Sequence, residues 1–229
     1  MQPIVALRAV VFDFDGVILE SADIKTQAFL ELFRDYPEHQ DAILNLHLSQ
    51  AGISRFEKFK VIYRDFLREP LSPEQLQILG NQFSALVRHK ILTCPFVPGA
   101  QLLLEKLQSN YLLFVASGTP ETELREIVEQ RGLTPFFTEV AGSPRRKAEI
   151  LQDLLRAYRL QPQEMVMIGD AIADWEGARA QGIPFIGRVP PGQANPFPTE
   201  GTLAIIPDLT ELAGNWKQWL ASHWSETQR

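Results

Sequence analysis

Residues 8–14 read RAVVFDF, an apolar run that ends in the carboxylates Asp13 and Asp15. In a strand, residues two apart point to the same side. Asp13 and Asp15 are therefore expected to project together from the carboxyl edge of a sheet, where α/β proteins bind ligands. Two carboxylates held this close repel each other unless a cation bridges them, and an oxygen-rich acidic site suits magnesium. The plain alternative is a surface turn with two solvated aspartates. The buried strand directly before the pair favours a site.

The arrangement recurs further along the chain. Gly169-Asp170 ends the apolar run Met165 to Ile168 (MVMI), and Asp174 follows four residues later. Asp174 is suited to capping the helix that carries Glu176 to Ala180, to joining a metal shell, or to both. Ser117-Gly118-Thr119-Pro120 ends the run Tyr111 to Ala116 (YLLFVA). A hydroxyl, a glycine and a helix N-terminus make a phosphate cradle, although the same residues also fit an ordinary strand-to-helix turn. Lys147 falls in the first turn expected after Ser143-Pro144. The helix dipole disfavours a cation there, and an anion waiting at that end would account for it. A solvated lysine beside Arg145 and Arg146 is the simpler reading. Taken singly these stations are weak. Together they place a polar group of the right type after each of three apolar strands, with a lysine between the second and third.

These stations need a scaffold. The three apolar runs read as buried strands of a parallel sheet, joined by weaker candidates at Glu139 to Ala141, Pro184 to Ile186 and Leu203 to Ile206. Helical spacing links Ala100, Leu103, Leu104 and Leu107, and again Leu151, Leu154, Leu155 and Tyr158. Thr119-Pro120 and Ser143-Pro144 each read as an N-cap followed by a first-turn proline. Asp208-x-x-Glu211 opens a last helix whose apolar stripe is Leu209, Leu212, Trp216 and Trp219 or Leu220. Alternating strand and helix predict a doubly wound parallel α/β sheet. From Leu19 to Ile91 no strand is evident, and helices are expected over 22–36, 38–48, 54–68 and 73–91, the last opened by the capping box Ser72-Pro73-x-Gln75. The predicted division is a catalytic core of 1–18 and 92–229 and an inserted helical domain of 19–91. Val189 to Gly201, with four prolines and two glycines, reads as an exposed irregular loop.

Composition narrows the function. Of 229 residues, 45% are apolar and 22% charged, which is enough for a core without staples. A net charge of −6 disfavours a nucleic-acid binder that works by neutralising phosphates. Cys94, the single cysteine, excludes an internal disulfide and fits a reducing compartment. The apolar run Ile4 to Val11 is broken by Arg8, too short to span a membrane, and unlike a signal peptide. A cytoplasmic protein without membrane or nucleic-acid partners is expected, with no oligomeric state assigned. The histidines His39, His47, His89 and His223 are scattered and suggest neither a metal site nor a triad with Cys94. Trp216, Trp219 and Trp224 read as a packing face.

The ordered set Asp13-Phe14-Asp15-Gly16-Val17, Ser117, Lys147 and Gly169-Asp170 with Asp174 resembles the four motifs of the haloacid dehalogenase superfamily. The insert resembles that family's helical cap. The resemblance implies a Rossmann-like core in which Asp13 attacks phosphorus and forms an aspartyl-phosphate. Asp15 would protonate the leaving oxygen and then activate water. Mg2+ would sit on Asp13, the Asp15 carbonyl and Asp170, with Asp174 bound directly or through these ligands. Ser117, Gly118 and Lys147 would hold the phosphoryl group. Asp15 separates the chain from the family's dehalogenases, which lack this residue.

Gly52-Ile53-Ser54-Arg55 resembles the cap loop of phosphoglycolate phosphatases and β-phosphoglucomutases. Gly52 would admit the substrate closely, and Arg55 would bind a second anionic group, unless it is simply a surface residue starting a helix. Lys58 is a further candidate. Lys25 stands where many relatives carry histidine, and either contacts an anion or is solvated. The function expected is Mg2+-dependent hydrolysis of a small phosphorylated metabolite. A phosphosugar mutase is the alternative, and a catalytically silent binding domain a third reading.

Overall fold

The computed structural model describes residues 6–224. Ile4 and Val5, which begin the first apolar run, lie outside them. Six strands form one parallel sheet: β1 (Ala9–Phe12), β2 (Leu112–Pro120), β3 (Glu139–Ser143), β4 (Met165–Gly169), β5 (Phe185–Arg188) and β6 (Thr202–Ile206). Their order is β3-β2-β1-β4-β5-β6, so the chain builds outward one way from β1 and then returns to build the other way. β1 pairs Val11 with Phe114 on one side and with Met167 on the other. The three strands that carry the acidic and hydroxyl motifs are thus neighbours at the sheet centre.

Every residue of β1 and β4 is buried. The strand period of two divides their side chains between two cores. Val10, Phe12, Val166 and Ile168 face one layer, while Ala9, Val11, Met165 and Met167 face the other. The first layer holds α5 (Ala100–Leu107), α6 (Glu121–Gln130) and α9 (Thr210–His223). The second holds α7 (Lys147–Ala157) and α8 (Ile172–Ala180). This is the doubly wound architecture that the alternation of elements predicts. The stripe Ala100, Leu103, Leu104 and Leu107 is buried, as its spacing requires. Trp216 stacks on Trp219 at 6.0 Å, and both are buried in the packing face of α9.

Between β1 and α5 lie only helices: α1 (Ala22–Leu32), α2 (Gln40–Ser49), α3 (Arg55–Val61, continuing as a π-helical turn Ile62–Leu67) and α4 (Pro73–Thr93). Ser72 and Gln75 form the capping box reciprocally, at 3.2 and 3.0 Å. The four helices share an aromatic centre, in which Phe29 lies 5.5 Å from Phe59 and 4.8 Å from Phe83. Each such ring contributes about 1.5–3 kcal/mol on burial. The two segments that join this block to the sheet run side by side, with Val97 donating to the Ile18 carbonyl and Glu20 to that of Pro95. Among the described residues no helix is long and apolar enough to cross a membrane.

Two local readings are corrected. Ser143 closes β3 before a cis peptide to Pro144, and α7 begins only at Lys147. Thr119 remains in β2, and α6 begins at Glu121. In both places the proline precedes the helix instead of occupying its first turn, and the hydroxyl is left for other partners.

Candidate active site

The motif residues converge at the carboxyl ends of β1, β2 and β4, around a cavity of about 360 Å³ whose lining includes Asp13, Asp15, Ser117, Gly118 and Asp170. The amide of Asp13 continues the sheet by donating to the Ile168 carbonyl at 2.9 Å. The chain then leaves the strand. Gly16 has φ 77°, and a Cβ there would lie 2.0 Å from Asp170 Oδ2, so only glycine turns the chain at this point. Because extended geometry stops at Phe12, Asp13 and Asp15 enter the cavity but do not lie parallel, as strand periodicity suggested. Their carboxylates have different partners.

Asp13 faces Asp170 and Asp174, and one oxygen from each of the three lies within 4.8 Å of the others. Lys147 Nζ is 3.1 Å from Asp13 Oδ1 and also ion-pairs with Asp174. Asp13 Oδ1 is buried and receives no aligned hydrogen bond. Burial pushes the Asp13 carboxyl up to about 7, with Asp174 and Asp15 adding to the effect and Lys147 opposing it. Burial, then Asp13 and Asp174, raise Asp170 well above the usual carboxylate range. Lys147 is held above the ordinary lysine range: burial opposes its charge, but Asp13 and Asp174 outweigh burial. One lysine thus faces three carboxylates, an excess of negative charge that a divalent cation would offset. Hard oxygen donors with an orphaned buried acceptor fit Mg2+. Both Asp174 oxygens are engaged, one by Lys147 and the other by the Ala171 amide at 2.9 Å, which also fulfils its capping role.

Asp15 accepts from Ser21 Oγ at 2.6 Å, from Thr119 Oγ1 at 3.0 Å and from Lys25 Nζ. Burial raises its pKa, but the charge of Lys25 and these three hydrogen bonds prevail and hold it below the usual range. Lys25 lines the same cavity and is not simply solvated. It binds Asp15, and at 2.6 Å also Thr119. Ser21 and Thr119 had no sequence signal for this role, since their contact with Asp15 is made only by the folded loop.

The helical block closes the other side. Gly52, with φ 77°, reaches the core so closely that a Cβ on it would lie 3.2 Å from Lys147 Nζ, and one on Gly118 would lie 2.5 Å from the Gly52 carbonyl. Arg55 borders the cavity, yet its guanidinium donates to Ser84 Oγ at 2.8 Å and pairs with Glu123 at 2.6 Å. It ties α3 to α4 and to α6 of the core. Gln193, Ala194 and Pro196, from the loop read as exposed and irregular, also line the cavity.

The family model of haloacid dehalogenase-like hydrolases matches residues 10–188. The chain belongs to the haloacid dehalogenase-like hydrolases. Within that family it is 25% identical to the phosphoglycolate phosphatase of Vibrio cholerae serotype O1, over 77% of this chain and 82% of that protein. It is 24% identical to the phosphoglycolate phosphatase of Rhodospirillum rubrum, over 91% of this chain and 90% of that one. The structure of a predicted phosphatase from Clostridium acetobutylicum superposes with a TM-score of 0.72 at 19% identity, covering 93% of this chain and 99% of that one. That likeness shows the fold, and the sequence relatives carry the hydrolase assignment further.

Proposed function

We propose that this hydrolase is a Mg2+-dependent phosphatase that acts on a small phosphorylated metabolite through an aspartyl-phosphate on Asp13. The chain is a phosphoric monoester hydrolase. One observation carries the mechanism: a buried carboxylate at the end of β1 whose Oδ1 receives no aligned hydrogen bond, ion-paired with Lys147 at 3.1 Å and lining the cavity that Asp170 and Ser117 also face.

The steps follow from the partners. Asp13 attacks phosphorus as nucleophile. Ser117 and Lys147 hold phosphoryl oxygens, and Lys147 offsets the charge that gathers on them in the transition state. A Mg2+ ion held by Asp13, Asp170 and the Asp15 backbone carbonyl, and oriented by Asp174, would supply charge neutralisation. Asp15 protonates the leaving oxygen in the first half and takes a proton from water in the second. The carboxylate form that Lys25 favours is the one the second half requires. For the first half, movement of Lys25 away from Asp15 would favour the protonated acid. Residues 19–91 act as a cap that covers the core site.

The test is inorganic phosphate release from a panel of phosphate monoesters with Mg2+ and with chelator, alongside isomer formation from hexose monophosphates. Metal-dependent phosphate release that outpaces isomerisation is expected. Isomerisation that outpaces release would replace hydrolysis with the mutase reading, and full activity in excess chelator would remove the metal.

A further inference from the structure

Four basic residues of the chain are among its buried charged groups: Arg55, Lys58, Lys147 and Arg188. Three belong to the site already described. Arg55 and Lys58 border the cavity, and Lys147 pairs with Asp13. Among the described residues Lys58 has no carboxylate within ion-pair distance, and its ammonium meets His47, at 3.3 Å from Nδ1 and 3.2 Å from the carbonyl oxygen. Arg188 differs from all three. It is 5% exposed, and neither it nor its carboxylate partner Glu20 lines the cavity.

The hydrogen bonds of Arg188 converge on one short turn. Nη1 donates to the Gly16 carbonyl at 2.7 Å and to Glu20 Oε2 at 3.0 Å. Nη2 donates to Glu20 Oε1 at 2.7 Å, and Nε to the Pro207 carbonyl at 3.2 Å. Pro207 follows β6, so the guanidinium is itself fixed to the sheet. Arg188 ends β5, where Gly187 lies beside Gly169 of β4, and it reaches to the turn that follows β1. Gly16 adjoins Asp15. Glu20 adjoins Ser21, whose Oγ donates to Asp15 at 2.6 Å. One rigid fork therefore holds both ends of the turn 16–20, and Asp15 is reached from each end. The Glu20 amide also donates to the Pro95 carbonyl, so the segment leading into the helical block is fixed at the same point. Glu20 balances the charge of Arg188, which leaves geometry as what Arg188 lends to the site.

Resting on the phosphatase reading above, we propose that Arg188 is a positioning residue for Asp15, acting through Gly16 and Glu20. In the step that forms the aspartyl-phosphate, the bond from phosphorus to the leaving oxygen breaks as the bond to Asp13 forms, and the proton of Asp15 passes to the leaving oxygen. That transfer requires the carboxyl within hydrogen-bond reach of the leaving oxygen, and a misplacement of about 1 Å costs on the order of 10²-fold. Removing the fork frees the turn and lets Asp15 drift from this position. A lysine at the same place meets one of the partners but does not span them.

The test compares two aromatic esters at saturating Mg2+: 4-nitrophenyl phosphate, whose phenolate departs unprotonated, and benzyl phosphate, whose alkoxide needs the proton. kcat/KM reports the steps up to departure of the alcohol, so the later attack of water does not enter. Arg188→Met should lower kcat/KM roughly 10- to 100-fold on benzyl phosphate and less than about threefold on 4-nitrophenyl phosphate, since general acid catalysis contributes ~10²–10⁴-fold only where a proton is needed. Arg188→Lys should recover part of the loss on the benzyl ester. Glu20→Gln, which keeps the shape of the partner, should show the same preference with a smaller loss, and it answers the question if Arg188→Met does not fold. Equal losses on both esters would make Arg188 a brace of the fold alone, and unchanged rates on both would leave it no role; either result overturns the proposal. Hydrolysis of neither ester by the wild type would instead overturn the phosphatase reading, and this role with it.

Discussion

Replacing Lys58 with methionine should stabilise the folded protein below neutral pH. The wild-type ammonium is pushed from the ordinary 10.5 to about 7, chiefly by burial and then by Lys25 and Lys147. A folded pKa below the unfolded value means that the unfolded chain holds the proton more tightly. The destabilisation is thus fully present below pH 7 and fades as pH rises toward 10.5. The shift corresponds to at most about 5 kcal/mol, and exchanging buried ionic groups for apolar ones of similar volume gains about 1–4 kcal/mol. Methionine keeps most of the volume beside Phe29 but leaves the His47 carbonyl without its donor, a loss of about 1 kcal/mol. The net gain is about 1–3 kcal/mol, or roughly 3–10 °C in Tm for a chain of this size.

The charged groups that set the field at Lys58 are Lys25 on α1 and Lys147 at the start of α7; Arg55, on its own helix, is paired with Glu123. His47 on α2 is neutral across the range. Thermal unfolding of wild type and Lys58→Met without substrate, from pH 6 to pH 10, should show the largest gap at pH 6 and a shrinking one above pH 8. A variant less stable than wild type at pH 6, or a gap that does not change with pH, would refute the idea that an uncompensated buried charge is being removed.

Asp13→Asn should abolish turnover and leave Tm equal or higher, since it removes one of three mutually repelling carboxylates; substantial hydrolysis by the folded variant would rule out the nucleophile. Asp170→Asn should raise the Mg2+ concentration needed for half-maximal activity by tenfold or more, read from titrations of metal against initial rate. Arg55→Ala should destabilise by about 2–4 kcal/mol because Glu123 loses its partner, and should lower kcat/KM to a similar degree on acid and neutral esters; a loss confined to acids would return the distal contact to Arg55.

The chemistry and the architecture were legible in the chain for the same reason. Buried parallel strands must be apolar along their length, so β1, β2 and β4 announce themselves, and the polar residues that follow them fall at the edge where such sheets bind ligands. Asp13, Asp15 and Asp170 therefore stand out by local pattern, Ser117 and Lys147 only by their place in the ordered set and the resemblance it carries, and the helical insert and its capping box at Ser72 by periodicity and capping residues. The assignments that depended on which way a side chain turns were decided elsewhere. Lys25 meets Asp15 and Thr119 across 10 and 94 residues of sequence. Arg55 finds Glu123 68 residues away, and that ion pair uses the charge that the loop motif seemed to offer to substrate. Lys58 and His47 come from different helices, neither in a recognisable motif, and their juxtaposition is made only when α2 and α3 pack around the Phe29, Phe59 and Phe83 rings. Sequence determines which residues can bear charge and which face of an element is apolar. Only tertiary packing decides which charges neutralise each other and which one is left facing the cavity.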